Sequence, residues 1–80
     1  MNRTELYEAV TEIFQDVFDD DTLTVTDETS AADIEEWDSL EQINLLFAME
    51  QRFSVKFAVA EVEGLKNVGE MVDLIQSKLA

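Results

Sequence analysis

A chain of 80 residues has room for one small domain, and a core of that size leaves only a thin margin of stability. Hydrophobic residues make up 46% of it, which suffices for a packed core and argues against wholesale disorder. The chain contains no cysteine and no histidine, so disulfides, thiolate nucleophiles and the commonest zinc ligands are excluded. We therefore expect no enzymatic activity and assign no catalytic or metal-binding residue.

The formal net charge of −14 comes from nineteen acidic and five basic residues. Such a field repels nucleic acid and anionic lipid and favours partners with basic surfaces. Residues 1–38 hold thirteen of the acids and only Arg3 as a base, so the segment before Ser39 is either a solvated loop or a docking surface. Because no apolar run could span a bilayer or form a secretory signal, we expect a cytoplasmic location without membrane insertion.

The first predicted helix begins at a capping pair, Asn2 and Glu5, and ends at Asp19-Asp20-Asp21. A long connection over residues 19–37 follows, and connections of this length in small domains are often functional. We expect Leu23, Val25 and Ile34 to anchor it in the core, and residues 24–26 could form a brief strand. The apolar residues of the first helix recur at helical spacing: Leu6, Ala9, Val10, Ile13, Phe14, Val17 and Phe18.

A second long helix is predicted from Asp38 to about Phe53, with Asp38 as its cap and Glu41 three residues on. A helical turn over residues 59–63, ended by Gly64, leads to a last helix that begins at Asn67, with Glu70 three residues on. The expected fold is all-α. It is a single domain over residues 1–80, built as a four-helix bundle with one short helix and one long loop.

Apolar residues lie on two sides of the second long helix. Leu45, Leu46, Met49 and Phe53 share one sector, which should face the core. Leu40, Ile43 and Phe47 lie on a roughly opposite sector. One helix of a small bundle cannot easily bury both, so the second sector is either covered by the short helix and the loop or is an interaction surface.

Ser39 is expected to be the first residue inside this helix. A serine there commonly serves only to start the helix. The free backbone N–H groups and the helix dipole nevertheless favour an anion such as a phosphodiester at this point. Asp38 and the acidic segment oppose a loose phosphate, so a covalent link would be needed to hold one.

Trp37-Asp38-Ser39-Leu40, followed by a helix that ends in Glu50-Gln51-Arg52-Phe53, resembles the Asp-Ser-Leu attachment motif and second helix of acyl carrier proteins. The other elements match that family in order and length over the whole chain. The resemblance implies that a phosphopantetheinyl transferase modifies Ser39 with a covalent 4′-phosphopantetheine arm, whose thiol carries acyl groups as thioesters. It also implies that Asp38 helps the transferase and its metal to engage, and that the chemistry of the cargo lies in partner enzymes.

The resemblance further implies a docking surface for enzymes with basic patches. Leu40, Ile43 and Phe47 match its apolar part, Glu41 and Glu50 match its acidic part, and Trp37 is either a core residue or a feature that a dedicated partner reads. Other positions match those that line or approach the space in which family members shelter short acyl chains, although a place in the core is the stronger expectation for each: Leu46, Met49, Phe57, Val62, Leu65 and Met71.

The cargo stays open at this stage. Glu35-Glu36-Trp37 stands where generic fatty-acid carriers usually have a glycine, which indicates a specialised carrier of fatty-acid, polyketide or lipid intermediates. Trp37-Asp38-Ser39-Leu40 also resembles carriers loaded by adenylating enzymes, including D-alanyl carriers, so an aminoacyl or peptidyl cargo is an alternative. An armless acidic adaptor is another, and a monomer is expected. A calcium loop from Asp19 or Asp20 is excluded because its spacing puts unsuitable residues at ligand positions.

Overall fold

The computed structural model describes residues 2–79, which contain four α-helices: α1 (Arg3–Phe18), α2 (Ser39–Phe53), α3 (Val59–Val62) and α4 (Val68–Leu79). This confirms the all-helical fold with one short helix and one long loop. Residues 24–26 are irregular rather than a strand. A strand needs a second strand to pair with, and residues 2–79 contain none. Thr26 N–H donates instead to Thr29 Oγ1 at 2.9 Å. The single domain over residues 1–80 stays a prediction, and Met1 and Ala80 lie outside the described residues.

Side-chain caps set where the helices begin. Glu5 N–H donates to Asn2 Oδ1 at 2.9 Å and Asn2 N–H donates to Glu5 Oε1 at 3.0 Å, which completes the predicted capping box. Asn67 Oδ1 accepts from Glu70 N–H at 2.9 Å, so α4 begins one residue after the expected start, with Asn67 outside it. At its other end α1 stops at Asp19, whose φ of 51° is left-handed.

The hydrophobic core lies where α1 faces α2 and α4. Two of the three expected loop anchors, Val25 and Ile34, are buried, and Leu23 is half-buried. The short helix α3 contributes no buried residue. The buried apolar residues are Leu6, Ala9, Val10, Ile13, Phe14, Val25, Ile34, Leu45, Met49, Phe53, Val68, Met71, Val72 and Ile75.

Asp27 fastens the long loop to α1 and to the start of α4. Its Oδ1 accepts from Arg3 Nη2 at 2.9 Å and from the Tyr7 hydroxyl, while its carbonyl oxygen accepts from Gly69 N–H at 3.0 Å. The hydrogen bonds from Tyr7 and Arg3 hold the pKa of Asp27 below its usual range. Burial, and then the bond to Asp27, raises the pKa of Tyr7 to about 12. Arg3 Nη1 also lies 2.7 Å from Asp73 Oδ1, so one arginine joins the loop to α4.

Substitution of Gly69 tests this close approach. A Cβ at Gly69 would lie 2.9 Å from the backbone oxygen of Asp27, which is nearer than real Cβ contacts allow. Alanine favours a helix over glycine, but forced overpacking is the larger effect, so we expect Gly69→Ala to lower the free energy of unfolding by about 1–2 kcal/mol. Urea unfolding measures the change. Gly64→Ala is the control, because its Cβ would meet nothing within 4 Å. Equal stability of Gly69→Ala and the native chain would contradict the close approach.

Candidate functional site

The N-terminus of α2 places Asp38 and Ser39 at the surface. Asp38 adopts an extended conformation, and its Oδ1 accepts from Glu41 N–H at 2.9 Å, so it is the N-cap that the sequence predicts. Ser39 follows as the first residue of α2, and it is exposed. Because Asp38 supplies the capping oxygen, the Ser39 hydroxyl is not needed to start the helix.

The second apolar sector of α2 is open to solvent. Leu40, Ile43 and Phe47 are 65%, 64% and 62% exposed. The alternative in which the loop and α3 cover this sector is therefore wrong. The physical reason is length, since α3 has only four residues and lines a groove with Ile43 and Phe47 without burying them.

A groove with a volume of about 870 Å³ runs between α2, α3 and the start of α4. Ser39 lines it at the beginning of α2, and Phe57 lines it beyond the end of α2. The groove brings together five of the six residues expected around the acyl space: Leu46, Phe57, Val62, Leu65 and Met71. The exception is Met49, which is fully buried and does not line the groove, because it shares the core-facing stripe of Leu45 and Phe53.

Trp37 is half-buried at the entry to α2. Its ring meets Phe14 edge-to-face, with the two ring centroids 5.2 Å apart, and its Nε1 donates to Gln42 Oε1 at 2.6 Å. This packing favours the interpretation of Trp37 as a core residue. Sequence reasoning missed the hydrogen bond to Gln42, because it considered this position only for an apolar contact. Recognition of Trp37 by a partner enzyme stays a prediction.

Glu41 and Glu50 are expected in the acidic part of the docking surface. Each carboxylate accepts a hydrogen bond from another residue of the chain. Glu41 Oε1 accepts from Asn44 Nδ2 at 2.8 Å, and Glu41 is half-buried. Glu50 Oε2 accepts from Phe57 N–H at 2.8 Å, which ties α2 to the segment before α3. This second contact is a structural role that sequence reasoning missed, because the two residues are neither in one helix nor at capping spacing.

The polar rim of the groove combines acids with a base. Asp38, Glu50 and Glu63 line it together with Lys66. Within residues 2–79 the side chains form no group of three or more potential ligands placed to hold a metal ion. No helix in that range is long and apolar enough to cross a membrane.

Comparison with known proteins identifies the family to which the chain is related. Residues 8–75 match the family model described as the phosphopantetheine attachment site. The chain is 36% identical over 80 residues to the acyl carrier protein of Thermosynechococcus vestitus, which covers 100% of this chain and 99% of that protein. It is 38% identical over 79 residues to the acyl carrier protein of Petrotoga mobilis, covering 99% and 93%.

A solved structure agrees with these relatives. The holo acyl carrier protein from Geobacter metallireducens superposes with a TM-score of 0.87 at 49% identity, over 92% of this chain and 85% of that one. The match covers both fold and sequence. The exposed Ser39 beside an apolar groove is consistent with it. The chain therefore belongs to the acyl carrier protein family and contains a phosphopantetheine attachment domain.

Proposed function

We propose that Ser39 carries the 4′-phosphopantetheine arm and that the chain presents acyl intermediates on it to partner enzymes. The observation that carries this proposal is that Ser39 is exposed at the first position of α2 and lines the apolar groove. When bound, the arm supplies a terminal thiol on which acyl groups travel as thioesters. Acyl carrier proteins are carriers rather than enzymes, and they work with phosphopantetheinyl transferases and synthases in general.

The residues around Ser39 fit a covalently held phosphodiester. The first N–H groups of α2 and its dipole favour negative charge there. The Asp38 carboxylate already accepts from Glu41 N–H, which fixes the start of the helix and leaves the Ser39 hydroxyl exposed. The neighbouring acids Glu35 and Glu36 oppose a free anion, so the covalent bond is what holds the phosphate in place.

The chemistry of the groove supports an acyl cargo over an aminoacyl one. Its walls include Leu46, Val62 and Met71, which offer apolar contact to a hydrocarbon chain. A charged amino group would lose hydration there without a dedicated partner. This supports the proposal of a carrier in fatty-acid, polyketide or specialised lipid synthesis, with an aminoacyl or peptidyl carrier as the second candidate because of the Trp37-Asp38-Ser39-Leu40 sequence. Cytoplasmic location and a monomeric state stay predictions.

The test of this function is the mass of the intact protein after incubation with coenzyme A, magnesium and a broad-specificity phosphopantetheinyl transferase. We expect a gain of one phosphopantetheine group, and fragmentation should place it on the peptide that contains Ser39. A second carrier protein in the same reaction shows that the transferase is active. With that control positive, a folded chain that gains no mass would favour the armless adaptor.

For docking, we propose that the exposed sector of Leu40, Ile43 and Phe47 contacts the partner enzymes, with Glu41, Glu50 and Trp37 at its edges. These three apolar side chains are the largest ones that α2 leaves in solvent. Open apolar groups flanked by acids suit a partner surface that is basic at its rim and apolar at its centre.

Phe47→Asp tests the docking surface. Because Phe47 is 62% exposed, its loss should leave the circular-dichroism signal of the helices unchanged. If Phe47 is an anchor of the interface, kcat/KM for arm transfer should fall by about 10-fold or more. Ser77→Asp adds the same charge at an exposed position of α4 and is the matched control. Unfolding of Phe47→Asp, or a rate equal to that of Ser77→Asp, would count against this surface.

A further inference from the structure

The short helix α3 is the least anchored wall of the groove. It spans four residues, none of them fully buried, although Val59 and Val62 line the groove with Phe57 just before them. A helix this short is not stable by itself, because the cost of forming its first turn is not repaid by later turns. Contacts from other elements must therefore hold this wall in place.

Lys78, near the end of α4, supplies such contacts. Its Nζ lies 2.9 Å from Glu61 Oε1 and 5.9 Å from the centroid of the Phe57 ring, over its face. The same Glu61 oxygen accepts from Ala58 N–H at 2.8 Å, so one carboxylate both starts α3 and pairs with α4. The side chain of Lys78 is only 22% exposed, and solvent screens such a pair less than a fully exposed one.

Phe57 has a second contact, through its backbone. Its N–H donates to Glu50 Oε2 at 2.8 Å, which ties it to the last part of α2. Glu50 lies eleven residues after Ser39, about 16 Å away along the helix axis. Phe57 therefore lines the groove at a distance from Ser39, with its N–H bonded to Glu50 and its ring beneath the ammonium group of Lys78.

We propose that Lys78 is a positioning residue that fixes Phe57 and α3 as the end wall of the groove and so limits the length of acyl chain that the groove shelters. The inference rests on the proposed function, because it concerns cargo attached through Ser39. Without Lys78, the ring of Phe57 loses its cation and Glu61 keeps Ala58 N–H but loses its ion-pair partner, so the end wall moves aside and a longer chain enters.

The test compares Tm across a series of acyl forms. Butyryl, hexanoyl, octanoyl and decanoyl arms are transferred from the matching acyl-coenzyme A by the transferase, with each product confirmed by mass. A sheltered chain acts as a ligand of the folded state and raises Tm, by several degrees for each pair of methylene groups that enters. In the native chain the rise should stop at a given length. In Lys78→Met it should continue to longer chains.

Three further variants keep the test specific. Lys78→Arg retains a cation and should restore the native limit, whereas Glu61→Gln keeps an acceptor for Ala58 and should behave like Lys78→Met. Lys56→Met removes an exposed lysine next to Phe57 and should leave the limit unchanged. If Lys78→Met fails to fold, Glu61→Gln tests the same contact.

Two outcomes would overturn the proposal. One is an unchanged length limit in both Lys78→Met and Glu61→Gln; the other is a loss of the Tm gain at every chain length in these two variants. Both require chains that have taken up the arm. A native chain that gains no mass in the transferase reaction would instead refute the proposed function, so the two failures are distinct.

Discussion

Replacing Ser39 with alanine should abolish attachment of the arm while leaving the fold intact. The Ser39 oxygen is the atom that we propose forms the phosphoester, and alanine offers none. The cost to folding should be within about 0.5 kcal/mol, since Ser39 is exposed and Asp38 provides the capping oxygen of α2. Intact mass after the transferase reaction measures the first effect, and urea unfolding measures the second.

The chain supplies its own control for this prediction. Ser77 is an exposed serine of α4, and its hydroxyl donates to the carbonyl oxygen of Leu74 at 2.7 Å. Ser77→Ala should gain one phosphopantetheine group like the native chain. A mass gain in Ser39→Ala would move the attachment to another residue, and an unfolded Ser39→Ala would show that the hydroxyl has a structural task.

Phe14→Ala should cause the largest loss of stability. Phe14 is fully buried in α1, with its ring centroid 5.9 Å from that of Phe18 and 5.2 Å from that of Trp37. Truncating a core phenylalanine costs about 3–5 kcal/mol through lost burial and the cavity that remains. A small domain has total stability of about 5–15 kcal/mol, so the variant should be close to unfolding. Urea unfolding followed by the fluorescence of the single tryptophan reports the loss.

The position of Phe14 also links the core to the site. Trp37 stands next to Asp38, so removing Phe14 takes away the ring on which the entry to α2 rests. Phe14→Leu keeps most of the volume and should recover part of the stability, which keeps the measurement possible if Phe14→Ala does not fold. Phe18→Ala, at a half-buried position, should cost less. A loss below about 1 kcal/mol in Phe14→Ala would contradict the packing.

Several features of this protein follow from local sequence patterns. The Asn2–Glu5 capping box, the Asp38 cap and the position of Ser39 depend on hydrogen bonds between residues three apart, which adjacent letters of the sequence encode. The apolar spacing of α1 likewise predicts its buried face. The candidate attachment site was recognised by resemblance, from residues 37–40 together with the order and length of the other elements over the whole chain.

Other features depend on contacts between distant parts of the chain. Periodicity assigns Leu40, Ile43 and Phe47 to one sector, but only the positions of α3 and the loop decide that this sector stays in solvent. The resemblance matched Met49 to a position near the acyl space, with a place in the core as the stronger expectation, and helix packing places it in the core.

The contacts of Asp27 with Gly69, of Glu50 with Phe57 and of Lys78 with Glu61 join residues that no short sequence pattern relates. The sequence by itself therefore determined the helices and their caps, because short-range hydrogen bonds and helical periodicity specify them, and its resemblance to acyl carrier proteins indicated Ser39 as the candidate attachment serine. The tertiary structure decided which apolar face is free, where the groove ends and what holds its wall, because these depend on how the helices pack in space.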